Sequence, residues 1–300
     1  MSNKTMIKSA GTKAADNPGR KQSQLTAVWK RLRRNKLAMV GLVIVVVLLL
    51  VTIFADVIAP FHYTEEDYAN KLAMPSGEHL LGTDNYGRDL LSRIIYGGRT
   101  SLLVSVGAVC ISLLAGLVIG SAAGFFGKKA DTVIMRVMDV LQAIPAMLMA
   151  VCVSAMLGTG TWQTAIAVSI GGIAPCVRVI RAQILTIRDS EFVEAARATG
   201  SGSLRIILRH ILPNSLAPVI VDTTLRVGTN ILAISGLSFI GLGVAPPVAE
   251  WGSILNAGRQ YIRSFWPMVT LPGIAIVLTM FGFNVFGDGL RDALDPKMKK

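Results

Sequence analysis

The sequence predicts an all-α membrane protein with six transmembrane helices and both termini in the cytoplasm. Three observations carry that expectation. About half of the 300 residues are apolar, 52%, and they fall in runs instead of spreading as a soluble core would. Runs at 37–55, 101–126, 133–157, 162–177, 215–240 and 266–286 approach the roughly 20 residues that cross a bilayer core. The basic residues also sort by side. The tail before Leu37 holds ten Lys or Arg and one acid, whereas 59–100 holds six acids and four bases. Lys and Arg collect on the cytoplasmic face of membrane proteins, so the N-terminus lies inside. With six spans the C-terminus lies inside as well, and Lys297, Lys299 and Lys300 agree.

Taken in order, residues 1–25 are polar and basic with few large apolar side chains, the composition of a disordered tail. Residues 24–36 read as a basic amphipathic helix on the inner membrane surface, and the first span completes a unit over 26–60. An extracytoplasmic segment over 61–99 follows. It is loop-like until 88–96, which reads as a short helix with Leu90, Leu91 and Ile94 on one face and Arg88, Asp89 and Arg93 on the other, able to lie flat on the membrane. A core over 100–290 comes next, and 291–300 form a cytoplasmic tail. In the second span Gly116, Gly120 and Gly124 recur every fourth residue, a smooth strip that lets another helix approach closely. Pro145 bends the third span. The fourth is short and holds Gly171 and Gly172. After the fifth, Gly236, Gly241, Gly243, Pro246 and Pro247 predict a broken or re-entrant backbone.

Several function classes drop out. The net charge of +12 comes mostly from the sidedness just described, which argues for anionic lipid as the partner and against nucleic acid. The first span is no cleaved signal peptide, because its leader is long and no small-residue cleavage site follows it. Cys110, Cys152 and Cys176 all lie within spans without metal-ligand spacing, and His62, His79 and His210 are unpaired. No metal, cofactor or catalytic residue is expected. Gly127-Lys128-Lys129 lacks the Ser or Thr and the upstream Gly of a phosphate-binding loop, so any ATP must be handled by another chain.

A polar island at 189–213 stands between two apolar runs on the predicted inside. Asp189 and Ser190 can cap a helix start, Gly200 is a helix stop, Ser203 a second start and Pro213 a second stop. Two short bounded helices on one face suit a surface offered to another protein. Charges within spans need reasons of their own, since a central charge costs roughly 2.5–3.5 kcal/mol. Arg136 and Asp139, near the inner end of the third span, can pair or snorkel, or face a translocation path. Asp222 and Arg226 lie four apart near mid-membrane, either facing a translocation path or pairing internally. A self-sufficient channel or ion-coupled transporter is the competing class; such a protein has no need of paired docking helices.

The island resembles the EAA signature of bacterial ABC importer permeases in Glu194-Ala195-Ala196, Gly200 and Leu212-Pro213, with His210 where the broad pattern has an apolar residue. Four further stretches resemble the second permease of the dipeptide, oligopeptide and nickel importers. They are Leu81-Gly82-Thr83-Asp84 through Gly87-Arg88-Asp89, Ser92-Arg93, Gly98, Arg99 and Ser101; Met135-Arg136-Val137-Met138-Asp139 with Pro145; Ser238-Phe239-Ile240-Gly241-Leu242-Gly243 with Pro246-Pro247 and Trp251-Gly252; and the ending from Gly287 to Pro296. The resemblance implies the importer permease fold with cytoplasmic EAA coupling helices, in the bacterial plasma (inner) membrane. It implies a homologous second permease, two cytoplasmic ATPase subunits and an extracytoplasmic substrate-binding protein as partners. It also implies di- or oligopeptides as substrate, with nickel, glutathione or another small solute as alternatives. Glu194, Ala195, Ala196, Arg197, Gly200, Arg205 and Pro213 are then the residues through which the ATPases act.

Overall fold

Residues 24–294 are described in a computed structural model of the chain. The expected disordered tail therefore lies outside the described residues except for its last two positions, and so do Lys297, Lys299 and Lys300. A basic helix α1, Gln24–Leu32, leads into α2, Lys36–Ile53. The Asn35 side chain caps α2 by accepting from the Ala38 N–H at 3.2 Å. Leu32 is buried against α12, Pro267–Leu294, and Trp29 is left exposed, as an interfacial helix requires. The helix α12 runs on to Leu294, through the first residues of the expected cytoplasmic tail.

A short helix α3, Ala55–Ile58, ends the first span, and an irregular segment leads to α4, Leu90–Phe126. The predicted surface helix at 88–96 is instead the outer end of α4. Its charged face turns inward: Arg88, Asp89 and Arg93 are all buried. The reason is a polar network that pairs them, although Arg93 Nε itself makes no hydrogen bond and Arg93 donates only through Nη1 to the Tyr63 carbonyl at 3.0 Å. Asp84 accepts from Arg88 Nε at 2.7 Å and lies 3.3 Å from Arg93 Nε. Asp89 caps α4 through the Ser92 N–H at 2.8 Å and meets His79 Nδ1 at 3.0 Å. Paired charges of this kind remain buried at modest cost, where lone ones do not.

The third span is two helices, α5, Lys128–Ala143, and α6, Ala146–Leu157, bent by 85° at Pro145. The fourth is longer than its apolar run, α7 covering Thr161–Ile187 with Pro175 inside. Gly171 and Gly172 are there for contact, their missing Cβ positions lying 3.0 Å from Ala146 and 3.3 Å from Ser112. Then follow α8, Glu191–Ala198, and α9, Ser203–Ile206, which passes through a π-helical stretch, Ile207–Ile211, into α10, Leu212–Phe239. The expected stop at Pro213 is absent. The wide π turn, in which the Leu212 N–H reaches the Ile207 carbonyl, precedes the proline, and Ser203–Phe239 is a single long helix. Beyond Phe239 the chain folds back, as the glycines and prolines predict, through a cis Pro246–Pro247 bond into α11, Trp251–Gly258. Among the described residues there is no strand, only one isolated bridge between Thr83 and Asp89.

Close approaches fix the directions of the spans. A Cβ on Gly116 would lie 2.6 Å from Cys176 Sγ, one on Gly120 2.9 Å from the Val177 carbonyl, and one on Gly124 2.8 Å from Ile184 Cγ2. Both numberings rise together, so α4 and α7 are parallel. Parallel neighbours can be joined only by a chain that returns across the membrane, which makes the bent α5–α6 pair a full crossing. Gly228 against Phe283 and Gly287 against Leu225 make α10 and α12 antiparallel. Gly41 against Phe286 and Gly289 against Ala38 do the same for α2 and α12. Six alternating crossings result, with 189–202 on the same side as α1.

Candidate coupling surface and in-membrane charges

The island is anchored from beneath by its own apolar residues. Val193 and Ala196 of α8 point into a buried cluster with Ile180 and Ile184 of α7, Ile206 and Ile211. The helix ends where Gly200 takes φ +79°. There the Gly200 N–H donates to the Arg197 carbonyl at 2.9 Å and the Ser201 N–H to the Ala196 carbonyl at 3.1 Å, the paired closure that a left-handed residue permits. At the other end Ser190 occupies the cap position but its hydroxyl turns back to the Ile187 carbonyl at 2.6 Å, so the expected side-chain cap is not made.

The outer face of α8 is what remains. Phe192, Glu194, Ala195 and Arg197 are exposed, so Ala195 and Ala196 have different surroundings: the first faces solvent and the second faces the interior. Phe192, Ala195, Ala196, Thr199 and Ser201 line an open groove of about 470 Å³ whose far wall is Arg205, Arg209 and His210. Arg205 and Arg209 have no acidic partner among the described residues. Arg197 lies over the Phe125 ring at 5.6 Å. Pro213 is exposed beside the groove, about three turns into the long helix.

The in-membrane charges resolve differently from the sequence expectation. Asp139 does not pair with Arg136. It accepts from Arg178 Nη2 of α7 at 2.6 Å, and Arg136 is exposed with no ion pair among the described residues. Met138 packs inward on Val177, which turns Asp139 toward α7 and Arg136 away from it. A second α5–α7 pair, Asp131 with Arg181, lies nearer the cytoplasmic end. Asp222 and Arg226 do pair, at 2.5 Å through Nε and 3.3 Å through Nη2. Asp222 also borders a cavity of about 420 Å³ lined by Val179, Ala217, Pro218, Leu225 and Arg291. One polar residue escaped sequence reading altogether. Glu250, fully buried, caps α11 and touches α4 and α10. Its signal was available: a lone acid directly before Trp251-Gly252 in an otherwise uncharged stretch.

Comparison with known proteins gives the family. Residues 116–300 match the family described as "Binding-protein-dependent transport system inner membrane component", and residues 23–75 match the "N-terminal TM domain of oligopeptide transport permease C". The chain belongs to this permease family. It is 44% identical to the dipeptide transport system permease protein DppC of Alkalihalophilus pseudofirmus, over 93% of each chain. It is 38% identical to the oligopeptide permease OppC of Bacillus subtilis, over 99% of this chain and 98% of the relative. With the glutathione permease GsiD of Escherichia coli the identity is 42%, over 90% of each. The fold is shared with an inward-facing structure of the MetNI methionine ABC transporter at 17% identity and TM-score 0.52, covering 69% of this permease and 98% of that chain. The permease is a multi-pass inner-membrane protein. Its membership extends across both the bent span and the island.

Proposed function

We propose that this permease is one of two unlike halves of a translocation pore in an ATP-driven importer of di- and oligopeptides. In this reading two cytoplasmic ATPase subunits hydrolyse the ATP and an extracytoplasmic binding protein delivers the substrate. Peptide relatives at 38–44% identity over nearly the whole chain support the substrate class. The drive surface is the exposed face of α8 with its groove, and that is the observation on which the reading stands. Val193 and Ala196 root the helix in the bundle, so a push on α8 reaches α7 and α10 directly. Phe192 and Ala195 offer an apolar seat, and Arg205 and Arg209 are free to meet acids across an interface. Glu194 and Arg197 flank that seat.

The test replaces Arg205 and Arg209 together by Glu in the full transporter. The expected result is a chain that stays in the membrane but no longer co-purifies with the ATPase subunits, and import of a labelled dialanine probe that drops by about tenfold or more. Wild-type co-purification and import would overturn the reading. Import of glutathione in place of dialanine by the unaltered transporter would keep the drive surface and reassign the substrate.

A further inference from the structure

Glu250 is 0% exposed and lies inside the bundle, one turn from the outer end of α10. Its Oε1 accepts from the Ser101 hydroxyl of α4 at 3.1 Å and from the Ser235 hydroxyl of α10 at 3.3 Å. Its Oε2 accepts from the Ser253 N–H in the first turn of α11 at 2.9 Å. Every contact to the carboxyl comes from a donor, and none of the ion pairs among the described residues includes it. Burying a carboxyl without a cation is costly, and an ionisable group within a membrane bundle calls for a reason. Capping alone is not that reason. Ser, Asp or Asn caps a helix with a shorter side chain, whereas Glu250 caps α11 with one oxygen and spends the other on two more helices.

The surroundings make the joint tight. Trp251, 2% exposed, donates its indole N–H to the Ile94 carbonyl at 2.9 Å. A Cβ on Gly97 would sit 3.1 Å from the Trp251 ring and one on Gly98 2.8 Å from it, so the ring of α11 lies against bare α4 backbone. At its other end the same long helix that carries Ser235 begins at Ser203, beside the drive surface. Its 37 residues span about 55 Å. A displacement at one end thus arrives at Glu250.

We propose that Glu250 is a positioning residue that ties the outer end of α10 to α11, with α4 as the fulcrum. Through this tie, movement imposed on the cytoplasmic face reaches the outer segment 240–262. The proposal rests on the reading of α8 as the drive surface. It is tested in the assembled transporter in nanodiscs, with Cys110, Cys152 and Cys176 replaced by Ser and an environment-sensitive dye on Gln260→Cys, an exposed site just beyond α11. Trapping with ATP and vanadate should change the dye signal in this background. Glu250→Asp and Glu250→Ser keep the α11 cap but cannot reach both serines, and either should cut the response about tenfold, within the usual range of coupling between sites, while ATP hydrolysis continues. A full response in both variants overturns the proposal. Failure of both to assemble also overturns it, since the carboxyl would then serve folding alone. Arg205→Glu with Arg209→Glu, measured alongside, separates the two readings. If it abolishes the response and Glu250→Asp does not, only the role of Glu250 falls; if it leaves the response intact, the drive surface itself is wrong.

Discussion

Gly200 holds φ +79° with nothing within 4 Å of where a Cβ would be, so space is free and only the backbone resists substitution. A β-branched side chain there costs about 1–2 kcal/mol and unwinds the closure of α8, whereas Asn tolerates the left-handed region. Gly200→Val should leave the protein in the membrane at normal level and lower ATP-driven uptake by about tenfold; Gly200→Asn should keep most of it. Equal uptake in both variants would show that the angle between α8 and α9 is irrelevant. Asp222 and Arg226 make a different claim. They form a half-buried pair on one helix face, so Arg226→Ala strands a carboxylate beside an apolar cavity. That should cost about 1–2 kcal/mol of stability, and Asp222→Asn with Arg226→Gln should recover most of it, read as melting temperature in detergent. The spacing of four made this pair legible in the sequence. The Asp139–Arg178 pair was not legible, because its partners are 39 residues apart and meet only once α5 has turned back along α7.

The glycine strip of α4 shows what a helix needs from its neighbour. Gly120 lies against a carbonyl of α7, which is backbone and does not yield, while Gly107 of the same helix has its nearest neighbours at 3.8 Å. Ala in place of Gly gains roughly 0.5–1 kcal/mol of helix propensity wherever the methyl fits. Gly107→Ala should therefore raise the melting temperature slightly. Gly120→Ala should lower it, at a cost of about 1–3 kcal/mol of stability, the usual penalty of overpacking. If both raise it, the strip carries no packing role. Four-residue periodicity makes such a strip visible in sequence because it depends on local geometry alone. The fate of Pro213 does not. A proline removes an N–H and crowds the turn before it, so it reads as a stop. Here the π stretch widens that turn and the helix continues, because Ile206 and Ile211 bury the junction against α7 and α8. Tertiary packing chose between two local outcomes. The same holds for the outer end of α4, where amphipathic patterning suggested a surface helix and the buried Asp84 network drew its charged face inward.

Across the whole molecule, direction is set by contacts between spans and not by their lengths. Composition alone gives five spans, or six if the pair bent by 85° counts once, and the two choices place the coupling loop on opposite sides of the membrane. The parallel packing of α4 and α7 excludes five: if α5 and α6 dipped in and returned, α7 would start at the end where α4 stops and the pair would be antiparallel. The positive-inside asymmetry reaches the same topology independently, since 59–100 holds six acids and four bases whereas 178–213, the island with its approach, holds six Arg and three acids. Two exposed glycines with ordinary φ and open surroundings, Gly77 in the outer segment and Gly202 in the island, allow a direct measurement. In a background with the three native cysteines replaced, Gly202→Cys should react with a membrane-impermeant maleimide only in inside-out vesicles. Gly77→Cys should react only in right-side-out ones. Labelling of both from the same side would mean that the bent pair does not cross. The groove bearing Arg205 and Arg209 would then face away from ATP, and the proposed docking of ATPase subunits on it would fall.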